Sequence, residues 1–258
     1  MPGKIYIGTS GWIYKGWAKT FYPAEIPASA KRKIFDWYAR HFPTVEINAS
    51  FYRLPTEKAV SDWREQAPRG FLYAVKGSKT VTHFKKLIPG AQSFDKLLTR
   101  VVDLREHLGP VLWQLPGRFK KNAQRLDDFC KTLPQNSGMR HAVEFRDPSW
   151  IDEEIFSILR RHRVAHVSIS SLAMAMNFTT TTDFTYVRFH GLEGGASHDY
   201  TRAELEPWAE FLRDCARRGL DAFVYFNNDI NTRAPWNAMM LMEMTADFAV
   251  KPEAAQLR

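Results

Sequence analysis

Short runs rich in β-branched and aromatic residues recur along the chain, several alternating apolar and polar positions. They predict strands at Lys4–Gly8, Thr44–Asn48, Phe71–Lys76, Val111–Gln114, His141–Arg146, Val164–Ser170, Tyr186–His190 and Phe223–Asn227. Between most of them the apolar residues return at helical spacing. The segment Ala30–Phe42 places Ile34, Phe35, Tyr38 and Phe42 on one face, and Pro43 stops it. Further helices are predicted at Thr56–Gln66, Phe94–Leu108 (before Gly109-Pro110), Ala123–Leu133, Ile151–Arg161, Arg202–Arg218 (before Gly219) and Pro235–Phe248. Strand and helix thus alternate eight times, with no low-complexity linker between them.

Eight βα units in 258 residues predict one domain, residues 1–258, folded as a (β/α)8 TIM-type barrel, which takes about 250 residues. A doubly wound sheet usually carries fewer strands and a glycine-rich first turn. The first turn here, Gly8-Thr-Ser-Gly11, does not fit GxGxxG.

Barrel strands turn apolar residues out to the helices, so the other parity faces inward. Val45 and Ile47 outward send Glu46 and Asn48 in. Val143 and Phe145 do the same for Glu144 and Arg146, and Val187 and Phe189 for Arg188 and His190. The rule also turns in Ser10, Lys76, Gln114, Ser168, Ser170 and Asn227. Nearly every strand therefore ends in an inward polar residue on the C-terminal face, where barrel enzymes place their chemistry. Charges packed there for structure alone are costly to bury, which favours a functional reading.

Composition narrows the picture further. No stretch approaches the roughly 20 apolar residues of a membrane helix. The start, MPGKIYIGTSGW, has no apolar core and no cleavage site, so a cytoplasmic location is expected. Cys130 and Cys215 stand apart without CxxC spacing, which fits a reducing compartment. A net charge of +8 favours anionic partners, either a small ligand or nucleic acid, and no membrane. The oligomeric state is left open.

Each inward group has its own chemistry. Glu46 and Glu144 are the pair needed for acid/base or glycosidic work. Arg146, Arg188 and Lys76 form the kind of cationic set that clamps carboxylates or phosphates. A desolvated Lys76 is also able to form a Schiff base. His190, beside Arg188, is placed as an acid/base. Glu46, His83, Glu144, His190 and His198 are of the types that ligate metals, but they lack HExxH-like spacing and share the mouth with three cations, so no metal is assigned. Basic residues Lys79, His83, Lys85, Lys86, Arg118, Lys120 and Lys121 follow strands three and four. Trp12, Tyr14, Trp17, Phe51, Tyr52, Phe84, Phe119, Trp150 and Tyr200 accompany them, a mixture that can stack sugars or bases.

Seven segments carry a family resemblance: GTSGWIYKGW (8–17), FPTVEINASFYRLP (42–55), FLYAVKGSKTVTH (71–83), LWQLPGRF (112–119), AVEFRDPSW (142–150), YVRFHG (186–191) and YFNND (225–229). In this order they resemble the domain of unknown function 72, the YecE-like family. The resemblance implies a TIM-type barrel and no settled activity or cofactor. Its motifs contain Glu46, Asn48, Tyr52, Lys76, His83, Gln114, Glu144, Arg146, Trp150, Arg188, His190, Asn227 and Asn228. Two positions depart from the pattern: Ser168-Ile-Ser-Ser171 stands where many members carry an acidic residue, and Asp229 where they carry a small hydroxyl.

Three readings follow. The first is an enzyme that works by acid/base catalysis on an anionic, phosphate-containing substrate, with nucleic acid and sugar phosphates among the candidates. In it Arg146, Arg188 and Lys76 bind the anion, Glu46 or Glu144 is base, His190 is acid, and Asn48, Gln114 and Asn227 orient the substrate, with Tyr52, His83, Trp150 and Asn228 as further contacts. The second is a protein that binds nucleic acid or an anionic ligand without turnover. The third is a glycosidase using Glu46 and Glu144.

Overall fold

The computed structural model describes residues 1–134 and 138–253. Eight parallel strands run in the order β1-β8-β7-β6-β5-β4-β3-β2. They are β1 (Ile5–Thr9), β2 (Thr44–Ile47), β3 (Leu72–Lys76), β4 (Leu108–Gln114), β5 (His141–Glu144), β6 (Val164–Ser170), β7 (Phe184–Phe189) and β8 (Asp221–Phe226). The ends of this order meet through a bridge between Ser10 and Glu46, and Gly11 N–H donates to the Glu46 carbonyl at 2.8 Å. Gly8 permits that approach: a Cβ there would stand 2.1 Å from the Thr44 carbonyl oxygen. The result is a nearly closed (β/α)8 barrel whose closing seam runs beside Glu46.

The helices are α1 (Lys31–His41), the single turn α2 (Ala49–Tyr52), α3 (Glu57–Gln66), α4 (Gln92–Val101), α5 (Ala123–Thr132), α6 (Glu153–Arg161), α7 (Arg202–Arg217) and α8 (Arg233–Met244). Their starts follow the side chains present. Thr56, Asn122 and Asp152 accept backbone N–H bonds at the heads of α3, α5 and α6, and Thr201 with Glu204 forms a capping box on α7. The apolar face of α1, Ile34, Phe35, Tyr38 and Ala39, is buried as its period predicts.

The helix predicted up to Leu108 ends at Val101, and a tighter turn, Val102–His107, leads straight into β4. Arg105 lies in that turn at φ 53°, so the α-helical path breaks there and Gly109-Pro110 belongs to the strand. The eightfold alternation also fails once, since residues 171–183, between β6 and β7, contain no helix.

That missing helix changes the parity of β6. Ala165, Val167 and Ile169 join the cluster inside the barrel, with Ala74, Leu112, Ala142, Tyr186 and Tyr225. Ser168 and Ser170 therefore face outward rather than in. Ser170 bonds the Tyr200 hydroxyl at 2.8 Å, and His166 contacts Phe156 of α6 and the Thr179 carbonyl of the 171–183 segment. A polar outward face is tolerated because a hydrogen-bonding loop stands where an apolar helix would be.

Candidate functional site

Above the apolar interior lies a charged layer built from the ends of β2, β5 and β7. Arg188 is at its centre and is fully buried, as are Glu46 and Glu144. Its Nη2 donates to Glu46 Oε1 at 2.7 Å and its Nη1 to Glu144 Oε2 at 2.7 Å. Nη1 also lies 3.2 Å from Gln114 Oε1. Ser10 and Tyr186 each donate a hydroxyl to Glu46 at 2.6 Å. Arg146 Nε pairs with Glu144, and Arg146 Nη2 reaches His190 Nε2 at 2.7 Å. His190 Nε2 lies 3.2 Å from Glu144 Oε1, and Asn227 Nδ2 is 3.3 Å from His190 Nδ1.

These contacts fix the charge states. Burial pushes both carboxyls up, but the cations outweigh it. Arg188 and Lys76, with bonds from Ser10 and Tyr186, hold Glu46 below the usual carboxylate range. Arg146, Arg188 and His190 hold Glu144 well below it. Burial likewise works against the Arg188 charge, and Glu144 and Glu46 more than restore it. Two buried carboxylates thus share one buried guanidinium, a triad whose polar atoms are largely satisfied by each other.

Arg188 is accordingly not the ligand clamp that its inward direction suggests. It spends its fork on protein carboxylates, which leaves Arg146, partly exposed, and Lys76, nearly buried, as the other cations of the layer. Arg146 keeps about a quarter of its side chain exposed. Among the described residues, its Nη1 has no hydrogen-bond partner.

Lys76 ends β3 with its Nζ 4.5 Å above the Phe51 ring, and it is nearly buried. Burial, then the Arg188 charge, lowers its amine to about 8, with Glu46 and Glu144 pulling the other way. His83 sits edge-on to the same Phe51 ring at 5.0 Å, its pKa lowered by burial and by Lys76, Lys79 and Arg146. Asn48 is half-buried, and its buried Oδ1 has no hydrogen-bond partner among the described residues.

Burial lowers His190 to about 4, Glu144 pulling it up while Arg188 and Arg146 push it down. The ring is therefore neutral near pH 7 rather than a charged acid. Its folded pKa lies below the unfolded 6.5, so its contribution is intact above pH 6.5 and is lost as pH falls toward 4. His190→Gln is expected to remove that dependence, about 1.2 kcal/mol at pH 5.5 relative to pH 7. Denaturant unfolding of both proteins at the two pH values checks this, and parallel losses would contradict it.

Other expected contacts lie elsewhere. Trp150 is fully buried; its ring stacks on Phe145 at 4.9 Å and its N–H donates to the Phe119 carbonyl at 2.5 Å. It is core, because Asp147 caps the turn Pro148–Trp150 and swings the indole under the loop. Asn228 is also buried, donating to the His198 carbonyl and Asn237 Oδ1, and it anchors α8 rather than facing the mouth. Tyr52 is 78% exposed, so it stands on the rim. Ser10 and Tyr186, which hold Glu46, are additions to the expected site. Tyr186 shares the parity of Arg188, and that is the signal for it in the sequence. Among the described residues, no group of three or more His, Cys, Asp or Glu could hold a metal ion.

Glu46, Lys76, Gln114, Glu144, Arg146, Arg188, His190 and Asn227, all from motifs of the family resemblance, thus lie in or beside one charged layer, and comparison with known proteins agrees with the resemblance. A family model described as "Protein of unknown function DUF72" matches residues 6–257. The chain belongs to the DUF72 family. The UPF0759 protein YunF of Bacillus subtilis (strain 168) is 29% identical over 275 residues, covering 93% of this chain and 94% of YunF. The UPF0759 protein YecE of Escherichia coli (strain K12) is 30% identical over 147 residues, 57% of this chain and 50% of YecE. A crystal structure of a DUF72 protein from Thermotoga maritima has a TM-score of 0.83 at 26% identity, covering 94% of this chain and 99% of that one. A second, from Enterococcus faecalis, has a TM-score of 0.77 at 16% identity over 94% and 95%, and shares the fold. None of these DUF72 descriptions names an activity. Among the described residues no helix is long and apolar enough to cross a membrane.

Proposed function

We propose that this DUF72 protein is an enzyme that acts on a small, phosphate-containing anion at the C-terminal mouth of its barrel. The observation that carries this reading is the division of labour among the cations. Glu46 and Glu144 consume Arg188, while Arg146 keeps part of its side chain exposed and Lys76 lies over Phe51. Arg146 is then the seat for the anion, with one guanidinium nitrogen fixed on Glu144 and another on His190. A fork held on two sides is already oriented when the anion arrives. With its amine at about 8, Lys76 is the group beside this seat able to take and return a proton near neutrality. Glu46 and Glu144 serve as the fixed negative frame, and Asn48, Gln114 and Asn227 supply amides to orient the substrate.

The glycosidase reading loses its support on the same facts. Hydrolysis with two carboxylates needs one of them protonated, with a raised pKa. Here both are pulled down.

Inorganic phosphate and a set of phosphorylated metabolites, titrated calorimetrically against wild type and Arg146→Gln, test the seat. Loss of one charge-assisted fork is expected to weaken binding at least tenfold, since such bonds contribute about 1.5–3 kcal/mol. Turnover of the compounds that bind is followed by mass spectrometry. Equal affinity in the two proteins would remove Arg146 from the role.

A second reading, nucleic-acid binding without turnover, is favoured by the rim. Phe84 is 70% exposed and Tyr52 78% exposed, and Lys79 Nζ stands 5.2 Å over the Phe84 ring. Exposed rings beside lysines suit base stacking and phosphate contact. Affinity for a short single-stranded oligonucleotide should then fall steeply with salt.

A further inference from the structure

We propose that Lys76 is a covalent catalytic amine, condensing with an aldehyde or ketone that carries its anionic group on Arg146. This deepens the proposed function and rests on it for the anion seat alone. Lys76 differs from the other charged groups of the layer. Glu46, Glu144, Arg146 and Arg188 are tied to one another by ion pairs. Among the described residues, Lys76 Nζ has no hydrogen bond or ion pair, and it rests over the face of Phe51 instead. An ammonium placed for structure would be given a carboxylate, as Arg188 is given two. This one is nearly buried, at the end of a barrel strand, on an aromatic floor.

The surroundings favour the reactive form. Only the neutral amine attacks a carbonyl carbon, and an ordinary lysine is almost wholly charged at pH 7. Burial and the neighbouring Arg188 bring Lys76 to about 8, so roughly a tenth of it is free amine at pH 7. Glu46 and Glu144 oppose that shift, and Arg146 assists it. The same two carboxylates would steady the positive charge of a protonated imine.

The step balances without any further reactant. The Nζ lone pair forms the C–N bond while the carbonyl π pair moves to oxygen, giving a carbinolamine once the oxygen is protonated. The C–O bond then breaks, and the oxygen leaves as water with the two protons that Nζ has lost, leaving the C=N bond. Nothing is oxidised or reduced. The substrate class follows: a small carbonyl compound whose phosphate or carboxylate lies within reach of Arg146.

Reductive trapping tests this directly. The full chain is incubated at pH 7 with cyanoborohydride and either glyoxylate, an anionic aldehyde, or propionaldehyde, a neutral one, and alkylated lysines are mapped by peptide mass spectrometry. With glyoxylate, Lys76 is expected to be alkylated at least tenfold faster than the exposed Lys33 and Lys96, and saturably. Arg146→Gln is expected to lower that rate to the level seen with propionaldehyde. If Lys76 reacts no faster than Lys33 with either aldehyde, the covalent role is overturned, while the anion seat still stands on its own calorimetric test. If Lys76 reacts fast but equally with both aldehydes, and Arg146→Gln changes nothing, the anionic substrate class is overturned and the amine alone is kept.

Discussion

Arg188→Met is expected to be the most destabilising single change in the protein, by about 5 kcal/mol at pH 7. Removing one partner of a buried ion pair costs about 3–5 kcal/mol, because a charge is left without compensation. Here two carboxylates lose a partner at once, since Glu46 and Glu144 each hold Arg188 at 2.7 Å, and Glu46 keeps only the hydroxyls of Ser10 and Tyr186 as hydrogen-bond donors while Glu144 keeps Arg146. A domain has only about 5–15 kcal/mol in total, so the variant sits at the edge of folding. Its pH dependence should also change. Without Arg188, Glu46 loses the strongest influence that lowers its carboxyl against burial, while Glu144 keeps Arg146 and His190. The loss relative to wild type should therefore be smaller at pH 5.5 than at pH 7. The triple variant Glu46→Gln, Glu144→Gln, Arg188→Met removes the stranded charges and should recover most of the loss. Denaturant midpoints of wild type and the two variants at pH 5.5 and 7 decide it. A triple variant as unstable as Arg188→Met would mean that packing of the arginine, not charge compensation, holds this layer together.

The triad also explains how the accessible groups are aimed. Glu144 accepts from Arg188 on one oxygen and from Arg146 on the other. The buried arginine thereby fixes the carboxylate that fixes the mouth arginine, and His190 is wedged against both. Rigid support of this kind is what a binding constellation needs. It is obtained here from residues that never meet solvent.

How much of this is legible in the sequence depends on which contacts are local. Strands β2, β5 and β7 alternate cleanly, so the inward direction of Glu46, Glu144 and Arg188 can be read from their neighbours. Strand β6 cannot be read that way. Its apolar residues occur on both parities, and only the missing helix after it decides that Ser168 and Ser170 face out. What Arg188 touches is hidden for another reason. Its partner Glu46 is 142 positions away in the chain, and parity says that both face inward without saying that they meet. Trp150 and Asn228 lie in family motifs, but a motif carries no direction, and the Asp147 cap and the α8 anchor supply it only in three dimensions. Lys76 is visible in the sequence as an inward cation. Its lack of an ion-pair partner among the described residues is not.

Lys76→Met is expected to make the protein more stable at pH 7, by about 3 kcal/mol. The folded site lowers the amine from 10.5 to about 8, so it binds its proton less tightly than the unfolded chain does. Below pH 8 the folded protein carries the full cost of holding that charge. Above 10.5 neither state is charged and the cost is gone. Every tenfold loss of proton affinity corresponds to about 1.4 kcal/mol, and an uncharged, similarly shaped methionine avoids it. The gain should therefore shrink with pH, to about 1.4 kcal/mol at pH 9.5, where the amine is mostly neutral in the folded protein and still mostly charged in the unfolded chain. Unfolding curves for both proteins at pH 7 and 9.5 make the measurement. A methionine variant less stable at pH 7, or a gain that does not change with pH, would show Lys76 to be a structural cation like Arg188. A gain that shrinks as described, together with loss of the fast aldehyde reaction, would show the opposite. The fold then bears a costly buried amine that only its chemistry can explain.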